Sequence, residues 1–538
     1  MPPCVLFEDE HLLVVNKPAG WNTHAPAPLA GEGLYDWLKH REPRWARLAI
    51  VHRLDKETSG VLVFGKTPLA NRSLTEQFAA HAVRKIYLLV TDRPLRRSTW
   101  RVQSGICRAG ERYVSNPRGE PAVTRFEVVP WTRDVGEPAQ FPPGCTLVRA
   151  EPVTGRTHQV RVHAAGGGVP VLGDVLYGGT PFPRVCLHAA EIAFRHPATH
   201  EPVSFRAPVD FTADARVALR QAFIEPEETN AYRLLHGAGD GQAGAYLDRL
   251  GDYLLWQWKP EAGAASREEA ASWAERLGSR GVYHRPLRRA PSEGSVSEVT
   301  PELLLGEPAP ERFVIRENGV RFELSFHAGG AVGLFLDQRD NRRRLLTGHV
   351  AAGFELWSPG AQASGREVLN TFAYTCGFSV CAALAGARAT SLDLSRRWLE
   401  WGRRNFAING LDANAHEFVH GDVFDRLKWL AKRGRAFDVV LLDPPTFSRS
   451  KVSGTFRAER DYGRLVAAAL RVLKPDGVLF ASTNAAGWAT EAFLQTVRAA
   501  VRAAGRCVAQ EHYAPQPPDF PVSRAEPAHL KTVWLRVR

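Results

Sequence analysis

The chain has 538 residues, 44% of them hydrophobic and 23% charged, with a formal net charge of +12 at pH 7. That length exceeds what one hydrophobic core serves, so a multidomain protein is expected; the composition is that of soluble globular proteins, without an apolar run of the roughly 18 residues a membrane span needs. The cationic surplus, mostly arginine, suits a polyanionic partner, because guanidinium groups pair phosphate bidentately and release counterions, although any basic solvated surface gives the same count.

The opening stretch MPPCVLFEDEHLLVV carries Glu8, Asp9 and Glu10 where an export signal has a basic start and a long apolar run. The chain is therefore expected to begin directly in a fold and to work in the cytoplasm. Seven scattered cysteines without a CxxC fit a reducing compartment, with neither a disulfide framework nor a metal site expected. Up to about residue 213, short β-type runs (HLLVVNKP, GVLVFGKT, IYLLV, CTLVRAEPV) are broken by Pro and Gly, predicting an α+β domain. Turn-rich ATHEPVSFRAPVDFTADAR closes this part before EPEETNAYRLL opens a new element, which sets the first domain at 1–215.

Within that domain the sharpest local sequence is His52-Arg53-Leu54-Asp55-Lys56-Glu57-Thr58-Ser59-Gly60, an acid between the apolar AIV and the strand VLVFGK. An isolated Asp in a turn is ordinarily a cap or turn former. Here it is accompanied by Arg84-Lys85-Ile86-Tyr87, the run Gly155 to His163 containing Arg156, His158 and Arg161, Gly173-Asp174-Val175-Leu176-Tyr177-Gly178 and Leu187-His188-Ala189. In this order and spacing the motifs resemble the RluA-type large-subunit rRNA pseudouridine synthases over roughly residues 5 to 211. The resemblance implies an α+β core with a mixed, largely antiparallel sheet and no cofactor. Asp55 would be the catalytic aspartate, Tyr87 a ring stacked on the target base and a candidate general base, Arg161 the partner of the aspartate, and Arg53 the filler of the space left by a flipped nucleotide. Arg156 and His158 read as RNA phosphate contacts or strand packing, and His163 and His188 as satisfied structural histidines. Isomerising uridine breaks C1′–N1 and forms C1′–C5, which asks for a flipped base and a positioned carboxylate.

From 227 to 335 a mixed segment with the turn signal GAGDGQAG and a helical stretch SREEAASWAERLG shows no catalytic constellation. Beyond Val368 strand and helix alternate: EVLNTF then SVCAALAG, TSLDL then RRWLEWGRRNF, HEFVHGDVF then DRLKWLAKR, FDVVLLDPP then YGRLVAAALRVL, GVLFAST then EAFLQTVRAAVRAAG. This implies an α/β Rossmann-like domain, 336–538, with ligand chemistry at the carboxyl ends of its strands. The first strand runs through Asn370 and Phe372 into Tyr374, Thr375, Cys376 and Gly377, a turn lacking the G-x-G-x-x-G of pyrophosphate binders. Asp393 ends the second strand 23 positions after Asn370, close to the spacing of about 20 at which an acid reaches ribose hydroxyls. Asp422 follows the third strand, where a carboxylate can accept from an adenine amino group. Asp443-Pro444-Pro445-Thr446-Phe447 ends the fourth; the two prolines fix an extended turn able to hold a planar base. Each acid alone reads as a cap or loop residue; one per successive strand end favours a cofactor pocket.

With Gly333-Leu334-Phe335-Leu336-Asp337-Gln338-Arg339-Asp340-Asn341-Arg342, Thr229 to Leu234, Gly239-Asp240-Gly241 and Asp248-Arg249, this part resembles the class I S-adenosylmethionine-dependent 23S rRNA methyltransferases of the cytosine-C5 and guanine-N7 kind, over about 228 to 538. The resemblance makes 227–335 a small α+β RNA-docking domain. It assigns the cofactor to Asn370, Phe372, Tyr374, Thr375, Gly377, Asp393, Asp422 and Asp443, catalysis to Asp443, and RNA contact to Pro444, Pro445 and Phe447. Cytosine C5 needs a cysteine thiolate at C6 before it can be methylated, whereas guanine N7 offers a lone pair directly. After the fifth strand stands Ala481-Ser482-Thr483-Asn484, without cysteine, and the fourth-strand motif has none. The reading is thus a bifunctional RNA-modifying enzyme, with RNA, most simply large-subunit rRNA, as partner, no membrane or protein partner, and guanine N7 as the methylated atom. Cytosine C5, or one head acting only as an RNA-binding module, are the alternatives. Cys376, where family members commonly carry Gly, is expected to alter the cofactor turn slightly.

Overall fold

The computed structural model describes residues 1–31, 33–132, 135–259, 266–287, 299–329, 331–357, 363–450 and 452–538. Lys451, a few residues beyond the Asp443-Pro444-Pro445-Thr446-Phe447 run, lies outside them. The chain divides into two compact units, the first built chiefly from Met1–Pro26 and Arg44–Glu225, the second chiefly from Pro226–Arg538. Among the described residues no helix is long and apolar enough to cross a membrane.

In the first unit an eleven-stranded sheet has the path Val5–Glu8, Leu12–Lys17, Ser59–Gly65, Leu187–Arg195, Arg84–Thr91, Thr146–Pro152, Glu120–Val128, Thr99–Ala109, Arg112–Ser115. Neighbours along it run antiparallel except Ser59–Gly65 beside Leu187–Arg195, which are parallel. The two-residue period of a strand sends alternate side chains to opposite faces. Leu13, Val15, Leu62 and Phe64 accordingly enter one core with Trp21 and Trp45, while Leu12, Val14, Val61 and Val63 enter another with Leu74 and Val83. Covered on both sides, Ser59–Gly65 is buried along its whole length, and its sequence GVLVFG is continuously apolar rather than alternating. Gly60 adopts φ +122°, and the Ala189 backbone occupies the place a Cβ would take. That close approach sets the loop carrying Asp55 beside the strand of Ala189, whose other neighbour across the register is Tyr87.

The second unit opens with a five-stranded sheet, Ala231–His236, Ala245–Leu250, Tyr253–Trp258, Gly281–Pro286 and Glu302–Gly306, and a helix Arg267–Leu277 capped by the Ser266 hydroxyl. After a hairpin, Phe313–Glu317 and Val320–Leu324, comes a seven-stranded sheet in the order Glu417–His420, Arg388–Asp393, Glu367–Thr371, Phe437–Leu442, Leu473–Thr483, Lys531–Val537, Val508–Ala514. Its first five strands in that order are parallel and the last two pair antiparallel. The chain winds outward in both directions from Glu367–Thr371, creating the switch point at which such sheets bind ligands beyond their carboxyl ends. One hydrophobic cluster runs from Leu250, Leu255 and Tyr283 through Phe322 and Phe326 to Val368, Val439 and Phe480, so the five- and seven-stranded sheets share a core.

Candidate active sites

In the first unit two buried groups pin the backbone around Asp55. The Thr23 hydroxyl donates to the Leu54 carbonyl at 2.8 Å and accepts from the Leu54 N–H at 3.0 Å. The Lys17 ammonium, fully buried, donates to the carbonyls of Pro18 at 2.9 Å, Trp21 at 2.7 Å and Lys56 at 3.2 Å. Burial pulls its pKa down to about 7 against the opposing charges of Asp55 and Glu57. Asp55 itself stays 21% exposed and faces Arg161, whose Nη1 lies 3.5 Å from the carboxylate. Arg161 is aimed by Asp174, which takes its Nε and Nη2 at 2.7 and 2.8 Å in a bidentate pair closed off from water. Burial disfavours that cation, but the Asp174 hydrogen bond and the charges of Asp174, Asp55 and Glu57 outweigh it and raise the pKa.

His158, read from the sequence as an RNA contact or packing residue, stands in this cluster: its Nε2 is 3.8 Å from Asp55 and its Nδ1 is 2.8 Å from the Tyr177 hydroxyl. Its backbone is left-handed, φ +55°, at the start of the helix Gln159–Gly166 that carries Arg161. Tyr87 lies mid-strand between Ala189 and Ala150. Burial first, then the Asp55 charge, pushes its phenol up, so the ring is held neutral beside the carboxylate. Arg53 is exposed, and Arg156 is engaged by Glu120 and by the Pro121 carbonyl at 3.3 Å. His188 bonds Ser59 Oγ at 2.8 Å and the Ala207 carbonyl at 3.1 Å; His163 bonds Thr124 and Ser104 at 2.8 and 3.1 Å. Both are structural, held neutral by burial with pKa values near about 3 and about 4.

In the second unit the turn between strand Glu367–Thr371 and helix Gly377–Leu384 holds three non-glycine residues in left-handed backbone: Phe372 at φ +55°, Tyr374 at +48° and Cys376 at +63°. Such strain persists only where the surroundings over-determine it, and it gathers at ligand clamps. Asp393 supplies part of that restraint, accepting from the Tyr374 N–H at 2.9 Å through one oxygen and from the Ser395 N–H at 2.8 Å through the other. Asn370 and Thr375 are buried, with Asn370 donating to Ser379 Oγ at 2.9 Å and Thr375 to the Gly333 carbonyl at 2.6 Å, bonds that brace the turn. Gly377 lets the helix approach Leu334 and Arg342. Asp422 caps the helix Val423–Lys432, accepting from Phe424 and Asp425 N–H groups at 3.0 and 3.2 Å, and takes the Ser453 hydroxyl at 2.5 Å.

Asp443 ends the fourth strand. Gln338 donates to it at 3.1 Å and to Ser482 Oγ at 2.8 Å, tying the two strand ends together, while the buried Tyr462 hydroxyl donates to the Ser482 carbonyl at 2.7 Å. Burial pushes the Asp443 carboxyl up to about 6, reinforced by the charge of Asp337. Pro444 is buried beneath it, Pro445 is exposed and Phe447 is half-buried at the start of the hairpin strand Phe447–Ser450.

The S-adenosylmethionine-dependent methyltransferase pattern matches residues 269–536 and the RNA pseudouridylate synthase pattern residues 11–166. A ribosomal RNA large subunit methyltransferase of Deinococcus radiodurans is 34% identical over 60% of this chain and 78% of its own length. The chain belongs to the S-adenosylmethionine-dependent methyltransferase family. Ahead of the methyltransferase stands a pseudouridine synthase domain, and a ribosomal large subunit pseudouridine synthase C of Yersinia pestis is 39% identical over 38% of this chain and 66% of its own. A solved methyltransferase complexed with SAH, 28% identical, superposes at TM-score 0.50 over 64% of this chain and 87% of that one. Both enzyme activities, and S-adenosylmethionine as cofactor, follow from these domains.

The methyltransferase's own residues fit that cofactor. Ribose hydroxyls need an acceptor, and Asp393 lies partly open at its strand end; the adenine ring needs an apolar surface, and Leu394 beside it is 47% exposed. Sequence reasoning gave Leu394 no role beyond its strand, and it passed over Lys17 and Thr23 of the synthase, whose reach to Lys56 and Leu54 appears only in the fold.

Proposed function

We propose that the enzyme modifies large-subunit ribosomal RNA in the cytoplasm at two bases, isomerising one uridine through residues 1–215 and methylating one guanine at N7 through 336–538, with 227–335 docking the RNA. In the synthase, Asp55 acts at the sugar of a flipped uridine while C1′–N1 breaks and C1′–C5 forms; the C5 proton leaves and N1 regains one. Arg161, fixed by Asp174, keeps the carboxylate aimed, Tyr87 offers a face for the base, and Arg53 stands at the rim to fill the vacated stack.

For the methyltransferase the carrying observation concerns thiols. Cytosine C5 chemistry needs a thiolate, yet Cys376 and Cys381, in the cofactor turn and the following helix, are buried with thiols pushed up to about 12, and the ends of the fourth and fifth strands carry no cysteine. Guanine N7 needs none: its lone pair takes the methyl group that S-adenosylmethionine supplies, no proton is lost, and the product base is cationic. Asp443 is the acceptor placed to favour that charge, with Pro444, Pro445 and Phe447 shaping the turn beside it. The test is digestion of large-subunit RNA lacking its modifications after incubation with the purified full-length enzyme and S-adenosylmethionine. The expected products are pseudouridine and 7-methylguanosine; 5-methylcytidine in place of 7-methylguanosine contradicts the proposal.

A further inference from the structure

The middle segment, without a catalytic constellation in sequence, acquires a polar row when folded. Four neighbouring strands of the five-stranded sheet contribute Arg233, Asp248, Gln257 and Arg285. Arg233 pairs with Asp248; Gln257 donates to Asp248 at 2.9 Å and accepts from Arg285 Nε and Nη2 at 3.1 and 2.8 Å. Asp248 and Gln257 are buried, at 5% and 7% exposure. A buried array of this kind costs desolvation that well-packed apolar side chains would avoid.

The row forms one wall of a cavity of about 190 Å³. Phe335, Tyr374, Asp337 and His529 also line it, with His529 Nε2 3.0 Å from one oxygen of Asp337. Phe335 is a large apolar ring left 53% exposed, its centroid 5.4 Å from that of Tyr374, and Tyr374 belongs to the strained cofactor turn. Asp337 precedes Gln338, the residue that donates to Asp443, and its charge acts on the Asp443 carboxyl, so this end of the cavity lies near the carboxylate proposed to assist methyl transfer. Aromatic faces on one side and convergent charged donors and acceptors on the other are what a planar, hydrogen-bonding base requires.

We infer that this cavity receives the target guanine: Phe335 lies against its ring beside Tyr374, Arg285 donates to O6, and the Asp337 carboxylate, steadied by His529 through one oxygen, accepts from N1–H and the exocyclic amine, leaving N7 for methylation. The inference rests on the guanine-N7 reading above. A cytosine has no ring N–H for Asp337 to accept, so the same pair rejects it.

The test uses the full-length enzyme and its Arg285→Met and Phe335→Ala variants. SAH affinity is measured by calorimetry without RNA, methylation by steady-state kinetics on unmodified large-subunit RNA, and pseudouridine formation on the same RNA as an internal control. Each variant is expected to lose about tenfold or more in kcat/KM for methylation, from a lost charged hydrogen bond or a lost stacking face, with SAH affinity changed less than about twofold and pseudouridine formation unchanged. Phe335 is exposed, so its truncation leaves the fold intact and remains decisive if Arg285→Met does not fold. A parallel loss of SAH affinity in Phe335→Ala would assign the cavity to the cofactor and overturn the inference, as would unchanged methylation. A wild-type product other than 7-methylguanosine refutes the guanine reading itself, whereas a 7-methylguanosine product with indifferent variants refutes only the pocket.

Discussion

Asp443 carries the most useful titration in the molecule, because burial, with the Asp337 charge behind it, lifts its carboxyl to about 6. An acid with a raised pKa is neutral below that value and charged above it. Methyl transfer that needs the carboxylate therefore gains rate between about pH 5 and about pH 7, following one ionisation near 6. The check is a pH profile of methylation kcat/KM for wild type and Asp443→Asn: the wild-type limb is expected, the variant should be slow at every pH, and a flat wild-type profile would remove the carboxylate from the chemistry. Asp55 and Asp443 stand out in the sequence as candidates because each lies inside a contiguous motif. Lys17 does not, since its role is to collect the carbonyls of Pro18, Trp21 and Lys56, and Asp174 was legible only as part of a motif, its bidentate hold on Arg161 being a fact of three dimensions.

At the scale of elements, the five strand and helix alternations of the methyltransferase follow from hydrophobic runs and appear in the expected order in the parallel part of its sheet. The conformation of the cofactor turn does not. Ala373-Tyr374-Thr375-Cys376 contains no glycine or asparagine to advertise left-handed backbone, yet Tyr374 and Cys376 both adopt it. The reason for tolerance at Cys376 lies in the helix Arg396–Ile408, where Gly402 has no side chain and a Cβ built there collides with Cys376 Sγ and Cβ. A cysteine in the turn and a glycine in the helix thus form a matched pair. Gly402→Ala alone is expected to destabilise the methyltransferase by about 1–3 kcal/mol through overpacking, despite the better helix propensity of alanine. In a Cys376→Gly background, where the left-handed φ suits glycine and the colliding atoms are gone, the same change should be neutral or stabilising. Denaturant melts of the four proteins in the cycle measure the coupling; additive effects would mean the helix shifts away at no cost.

At the scale of the whole molecule, each unit has its own hydrophobic cores and holds one of the two proposed catalytic carboxylates. The division between strand-rich and alternating halves was readable from composition and period. The polar row of the middle sheet was not, because Arg233, Asp248, Gln257 and Arg285 come from four separate strands and meet only once the sheet has formed. Two carboxylates in two units predict separable chemistry, and the most direct measurement is nucleoside mass spectrometry of ribosomal RNA from a strain lacking the gene, complemented with wild type, Asp55→Ala or Asp443→Ala. The account predicts that Asp55→Ala restores the methylated guanine but not the pseudouridine, and that Asp443→Ala does the reverse. Restoration of both modifications by either variant, or loss of neither in the deletion strain, would contradict it.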